Sequence, residues 1–380
     1  MIKIRRVRSV GAIGLTALVL TTGACAADSG SPDPAGSAAS SPDASAGATS
    51  AAASAAPSPT PTTYRIGLSN TKTDDGWRTE MVCSARAQAL TSGRVERLTV
   101  ADRDTDAAGQ TADVANLVAT GVDAVILYAV DPDVVDESVV AAMETGLVVV
   151  AIDRAVDAEG SYLVATDHEA YGYAGAAWLF ETLGGKGKVV YLRGPADDPI
   201  DTARDSGFKR ALADFPDIKI VSETQTDWDR TVAVREFNAF LATGKDFDGI
   251  WTSGGIGAVI VDALKTADAP LVPIVGSDQG SFVSQLLAEE GLVGAAVTDS
   301  AAVGGAGVSL ALDILDGRPP ADPAVLIAPE VWANDTDAGR SRLEEADDPD
   351  IDLGWPLSIM IPGRTTYLKE DILACKGPNQ

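Results

Sequence analysis

The chain predicts an α/β protein built from doubly wound parallel sheets in two lobes. Three observations carry this reading. From Tyr64 onward, short β-branched runs alternate regularly with Ala-rich amphipathic stretches. The runs are continuously apolar rather than alternating, as strands buried on both faces of a sheet must be. Residues 64–380 are also long enough to fill two cores of ordinary domain size.

Taken in order, strands are expected at 64–69, 95–100, 123–127, 147–152, 161–165, 187–192, 217–223, 248–252, 271–275 and 293–297. Helices are expected at 77–91, 107–120, 132–145, 168–183, 202–214, 230–243, 256–266, 279–290 and 300–316. Residues 319–356 break the rhythm with Pro319, Pro320 and Pro323 and then an acidic run from Glu344 to Asp350. They read as an irregular excursion before a last strand near 357–361.

Residues 1–24 read as an export signal. Lys3, Arg5, Arg6 and Arg8 precede a mostly apolar run, and Gly23 and Ala24 lead into Cys25. The run is about 15 residues, short of the roughly 20 that span a bilayer. The layout resembles a bacterial lipoprotein signal, which implies acylation of Cys25. Residues 25–63 are almost wholly Ala, Ser, Pro, Thr, Gly and Asp, a composition that cannot bury enough apolar area to order itself. They read as a linker reaching about 35 Å.

The leader holds four of the 29 Lys and Arg, leaving 25 against 55 Asp and Glu. With no basic run after Arg8, phosphate-backbone binding has no material, and nucleic acid is excluded as a partner. Cys83 and Cys375 remain after Cys25. Oxidising surroundings permit them to form a disulfide tying the first helix to the C-terminal tail; two separate buried thiols are the alternative.

Catalytic signatures are thin. The one histidine, His168, cannot support multi-His metal or His-based general-base schemes. Gly276–Gly280 lacks the serine of a nucleophile elbow. Gly184–Lys188 lacks the spacing and the Ser/Thr of a phosphate loop. Asp102–Asp113 imitates a calcium loop but has Ala107 where glycine is required and Asp113 where a bidentate glutamate belongs. No catalytic residue, metal or cofactor is assigned, and the chain is not read as an enzyme.

Sheets of this kind bind ligands outside the carboxyl ends of their strands. There the chain places Asn70, Asp75, Trp77 and Arg78 after the first strand, Tyr128 after the third, and Asp153 and Arg154 after the fourth. Arg204, Asp278 and Asp299 fall at strand ends or helix starts of the second half. Carboxylates accept from hydroxyls, guanidinium forks donate to ring and hydroxyl oxygens, and an indole face packs on a sugar's C–H face. Together these ten residues form a candidate polyol site.

At these residues the chain resembles the type I periplasmic binding proteins, the ribose- and galactose-binding class of ABC-importer receptors. The segments that carry the likeness include IGLSN…GWR (66–78), VVVAIDRAV (148–156), TDHEAYGYAGA (166–176), ARDSGFKRAL (203–212), VPIVGSDQGS (272–281) and GAAVTDSAAVGGAG (294–307). The resemblance implies two Rossmann-like lobes joined by three crossovers, near 166–167, 298–299 and 357–362, with a sugar bound between them. Residues 64–166 and 299–356 would form the N-terminal lobe, and 167–298 and 357–380 the C-terminal lobe. It implies sugar-hydroxyl contacts from Asp153 and Arg154, and it matches the family's second-lobe site residues to Arg204, Asp278 and, at the second crossover, Asp299 or Thr298. Two departures stand out: Ser253-Gly254-Gly255 replaces a segment that usually carries an asparagine, and Tyr128 stands where another asparagine is common.

The expected function is a lipid-tethered, monomeric receptor on the outer face of the cytoplasmic membrane that delivers a sugar or polyol to an ABC permease. The membrane would be touched only through the lipid. The alternative is a receptor whose closed form is read by a sensor kinase or chemoreceptor.

Overall fold

The computed structural model describes residues 62–73 and 75–378. The export signal, Cys25 and nearly all of the linker lie outside the described residues.

The first lobe opens with β1 (Tyr64–Asn70), α1 (Gly76–Thr91), β2 (Val95–Asp102), α2 (Ala107–Ala119), β3 (Ala124–Leu127), α3 (Pro132–Glu144), β4 (Val148–Ile152) and β5 (Tyr162–Thr166). The chain then enters the second lobe with α4 (His168–Thr182), β6 (Lys186–Arg193), α5 (Pro199–Asp214), β7 (Asp217–Gln225) and α6 (Arg230–Leu241). That lobe continues with β8 (Gly249–Trp251), α7 (Gly257–Thr266), β9 (Ile274–Ser277), α8 (Gly280–Ala288) and β10 (Gly294–Val297). The apolar runs become strands because both faces are covered: Ala124–Leu127 and Gly294–Val297 are buried throughout. Aspartates start the helices. Asp75, Asp106, Asp167, Asp198 and Asp229 each accept first-turn N–H groups of α1, α2, α4, α5 and α6.

After β10 the chain returns to the first lobe as α9 (Val303–Leu315), which packs on α1 and β4. It adds β11 (Ala324–Ile327) beside β5, crosses again, and adds β12 (Val331–Ala333) antiparallel to β10. The sheet orders are β11-β5-β4-β3-β1-β2 and β12-β10-β9-β8-β6-β7, parallel except at β12. Next comes α10 (Asp337–Ala346), packed on β12 and α8, and finally α11 (Lys369–Ala374), packed on α1. Cys83 on α1 and Cys375 just after α11 are joined in a disulfide, 292 residues apart in sequence.

The chain leaves the first sheet after Thr166 and the second after Val297. The third crossover lies between Ile327 and Val331 rather than near 357–362. Residues 357–361 form no strand; they belong to a fourth passage that carries the tail back to α1. The lobe boundaries shift accordingly: β12 and α10 belong with the second sheet, and α11 lies against the first lobe. The reason is physical. β11 is a half-exposed edge strand behind three prolines, and β12 spans three residues, so neither shows a buried-strand pattern. The run at 357–361 is apolar because Leu357 and Ile359 extend a cluster from Phe282 and Ile260 to Cys83 and Ala87.

Candidate functional site

Asp153 follows β4 directly, with φ +63°, a left-handed conformation that Asp tolerates better than most residues. His168 starts α4 in the other lobe, and its Nε2 lies 2.9 Å from Asp153 Oδ1. Arg204 reaches the same point from α5. The two helices approach unusually closely there: a Cβ on Gly172 would sit 1.9 Å from Arg204 O, and one on Gly207 would sit 2.0 Å from Glu169 O. Arg204 Nε and Nη2 lie 3.3 and 3.2 Å from His168 Nδ1, and Nη2 donates to Asp299 Oδ2 at 2.6 Å. Arginine can only donate, so Nδ1 accepts and the imidazole proton sits on Nε2, facing Asp153.

The result is a buried polar chain, Asp153–His168–Arg204–Asp299, that crosses from one lobe to the other. Burial works against the Asp153 carboxylate, but His168, Arg204 and Arg154 outweigh it and hold its pKa below the usual value. Burial likewise opposes the charge on Arg204, whose pKa is nonetheless raised by Asp299. Asp299 Oδ1 is buried and makes no hydrogen bond to any described residue.

The second wall comes from α1. Asp75 spends its carboxylate on capping, accepting from Trp77 N at 2.9 Å. Trp77 Nε1 donates to Asp299 O at 2.9 Å, which ties α1 to the second crossover. Arg78 lies over the Tyr128 ring, Cζ to centroid 3.2 Å, and donates to Asn70 Oδ1 at 3.1 Å. Desolvation lowers the pKa of Arg78 and pushes that of Tyr128 up to about 12.

These groups line a cavity of about 90 Å³ between the lobes. Asp75, Trp77, Arg78, Tyr128 and Asp153 line it from the first lobe, Arg204, Ile200, Trp228, Ser277 and Gln279 from the second, and Asp299 and Pro356 from the interlobe passages. At about 10–15 Å³ per water, it takes a handful of waters or one small guest. A larger vestibule of about 520 Å³ adjoins it, with Arg154 on its wall.

Seven of the ten expected residues thus meet at the cavity. Asn70 stands behind Arg78 and is held by Asp102 at 2.8 Å. Arg154 faces the vestibule, pairing with Asp198 across the lobes and donating to Val130 O at 2.9 Å. Asp278 is absent from the wall. Its carboxylate is fully buried and accepts from the backbone N–H groups of Asp299 and Ser358, both at 3.0 Å, so it fastens two interlobe passages together. Burial pushes its pKa up to about 6.

Trp228, Ile200, Ser277, Gln279 and Pro356 were not foreseen, and His168 was seen without a role. A signal for two of them exists in Gly254-Gly255. A Cβ on Gly254 would lie 2.1 Å from the Trp228 ring, and one on Gly255 would lie 2.3 Å from the Gln279 amide. Both glycines have positive φ. Gln279, at the start of α8, thus places its amide beside this loop.

Asp153, His168 and Asp299 offer donor atoms within 4.8 Å of one another, a spacing a metal ion could use. Arg204 already donates to two of the three, so a cation stands among them. What the site presents is hydrogen-bonding groups of both signs and two indoles, suited to a neutral hydroxylated molecule.

A family model described as periplasmic binding protein domain matches residues 66–319. The chain is 28% identical over 239 residues to a xylitol-binding protein of Mycolicibacterium smegmatis, covering 61% of this chain and 67% of that one. It is 25% identical over 259 residues to a ribose import binding protein of Bacillus subtilis, covering 67% and 83%. Among solved structures, an ABC transporter solute binding protein from Thermobispora bispora superimposes with a TM-score of 0.66 at 22% identity, covering 77% of this chain and 89% of that chain. A galactofuranose binding protein gives 0.67 at 20% identity, covering 77% and 100%.

Proposed function

The chain belongs to the periplasmic binding protein domain family, and from that premise we propose that it captures one small sugar or polyol between its lobes and hands it to an ABC permease. The observation that carries this reading is the unpartnered Asp299 Oδ1 at a cavity walled by Arg78 and Trp77 on one side and Arg204 and Trp228 on the other. A guest hydroxyl can donate to that oxygen while guanidinium groups donate to its neighbours. The relatives named for xylitol and ribose support guests of this class.

Guest contacts to both lobes favour the closed form by their differential affinity for it. A micromolar dissociation constant, about −8 kcal/mol, is within reach of several charge-assisted hydrogen bonds and an indole stack. Cys25 carries the lipid in this reading, and the protein acts as a tethered monomer outside the cytoplasmic membrane. Among the described residues no helix is long and apolar enough to cross a membrane.

Calorimetry against pentoses, hexoses and acyclic polyols tests the binding step. Micromolar binding of at least one compound, with a smaller radius of gyration on saturation, is expected. Absence of binding to every compound at millimolar concentration ends the reading. Metabolic labelling with a fatty acid, present in the wild type and lost in Cys25→Ala, tests the anchor.

A further inference from the structure

Residues 320–380 lie beyond the stretch that the family model matches, yet they supply part of the cavity. The turn at Asp352–Trp355 is shaped by Asp352, whose Oδ1 accepts from Gly354 N at 2.7 Å and whose O accepts from Trp355 N at 2.9 Å. It leads into Pro356, which pairs with Gln279 through an isolated bridge and lines the cavity.

This strap occupies the start of α8. Gly280 N donates to Trp355 O and Ser281 N to Leu353 O, each at 2.9 Å. A helix start after a parallel strand is where such sheets commonly offer N–H donors to a guest. Here the strap takes those donors, and Gln279, the N-cap residue, makes no side-chain capping bond. On its other side Gly354 O abuts the start of α1, since a Cβ on Gly76 would lie 2.3 Å away. Trp355 is buried in the same apolar cluster as Phe282.

We propose that the 352–356 strap determines specificity, with Pro356 as the wall that limits the length of the guest. The inference rests on the sugar-or-polyol reading of the cavity. Because the strap is hydrogen-bonded to α8 and rooted in the second-lobe core, Pro356 cannot yield without breaking both attachments. A guest one carbon longer is therefore rejected by packing rather than by loss of a hydrogen bond.

The test measures dissociation constants for two pairs whose members differ by one carbon, xylitol with sorbitol and D-ribose with D-allose, in the wild type, Pro356→Gly and Pro356→Leu. Thermal melting of each variant reports folding. The wild type should prefer the five-carbon member. Pro356→Gly should lower the six-to-five-carbon ratio of dissociation constants at least fivefold, and Pro356→Leu should raise it. Ratios within twofold of wild type in both folded variants overturn the strap's role while leaving the binding function intact. If the wild type binds neither five-carbon member, the strap's role fails, while the functional reading stands or falls on the wider panel of pentoses, hexoses and polyols.

Discussion

Asp153 and His168 sit in different lobes and meet across the cleft, Oδ1 to Nε2 at 2.9 Å, with Arg204 donating to the other ring nitrogen, Nδ1. The one histidine of the chain is thus a positioning residue that orients two groups expected to hold the guest.

His168→Phe should leave Asp153 and Arg204 without that partner. A buried polar group stripped of its partner costs about 1–3 kcal/mol, so guest affinity should fall by about 5- to 150-fold. His168→Gln, which keeps a donor and an acceptor, should recover part of that loss. Calorimetry decides, and binding by His168→Phe as tight as wild type removes the residue from the mechanism.

Asp153→Ala should weaken binding more than Asp153→Asn. Alanine loses the acceptor and strains a backbone at φ +63°, whereas asparagine tolerates that conformation and retains one oxygen. Equal affinities for the two variants and wild type would place the guest elsewhere.

Gly76→Ala addresses closure. Its new Cβ would lie 2.3 Å from Gly354 O, backbone that the strap holds against α8. The variant should fold, bind at least tenfold more weakly, and keep an extended scattering profile when guest is added. Normal compaction on saturation would contradict this.

Glu80 is fully buried in α1, both its oxygens lack a hydrogen bond to any described residue, and desolvation with Asp278 and Asp299 nearby raises its pKa well above 4.5. The folded state therefore holds a proton that the unfolded chain releases above pH 4.5. The associated stability is complete below that pH and is lost as pH rises toward the folded-state value, at about 1.4 kcal/mol per pH unit while the group is in its window. Glu80→Gln should remove this slope and melt higher than wild type at pH 8 relative to the difference at pH 4. Parallel melting-temperature profiles would show that Glu80 does not titrate on unfolding.

Replacing Cys83 and Cys375 by serine opens a very long covalent loop. A loss of about 3–5 kcal/mol is expected, lowering the melting temperature by on the order of 10 °C. Neither cysteine lines the cavity, so affinity should stay within twofold. A large drop in affinity would link the tail to the site.

The two sheets were legible because their strands are continuously apolar and the helix starts carry aspartate. The site was legible where a residue follows a strand directly, as Asp153 and Tyr128 do. Asp278 also follows a strand directly, yet only its coordinates reveal that backbone N–H groups from two passages claim its carboxylate. Trp228, Gln279 and Pro356 reach the cavity through contacts distant in sequence, with loop glycines making room for the first two. The run at 357–361 reads as a strand because it is largely apolar, and only the structure shows that Leu357 and Ile359, with Trp355, anchor an interlobe passage instead.

Because the polypeptide threads back and forth between its halves four times, neither half corresponds to a continuous stretch of gene. A stop codon anywhere before α10 leaves both halves incomplete. Swapping one half with that of a relative would require grafting several separate segments at once, so new guest preferences are more accessible by point substitution than by exchange of whole modules.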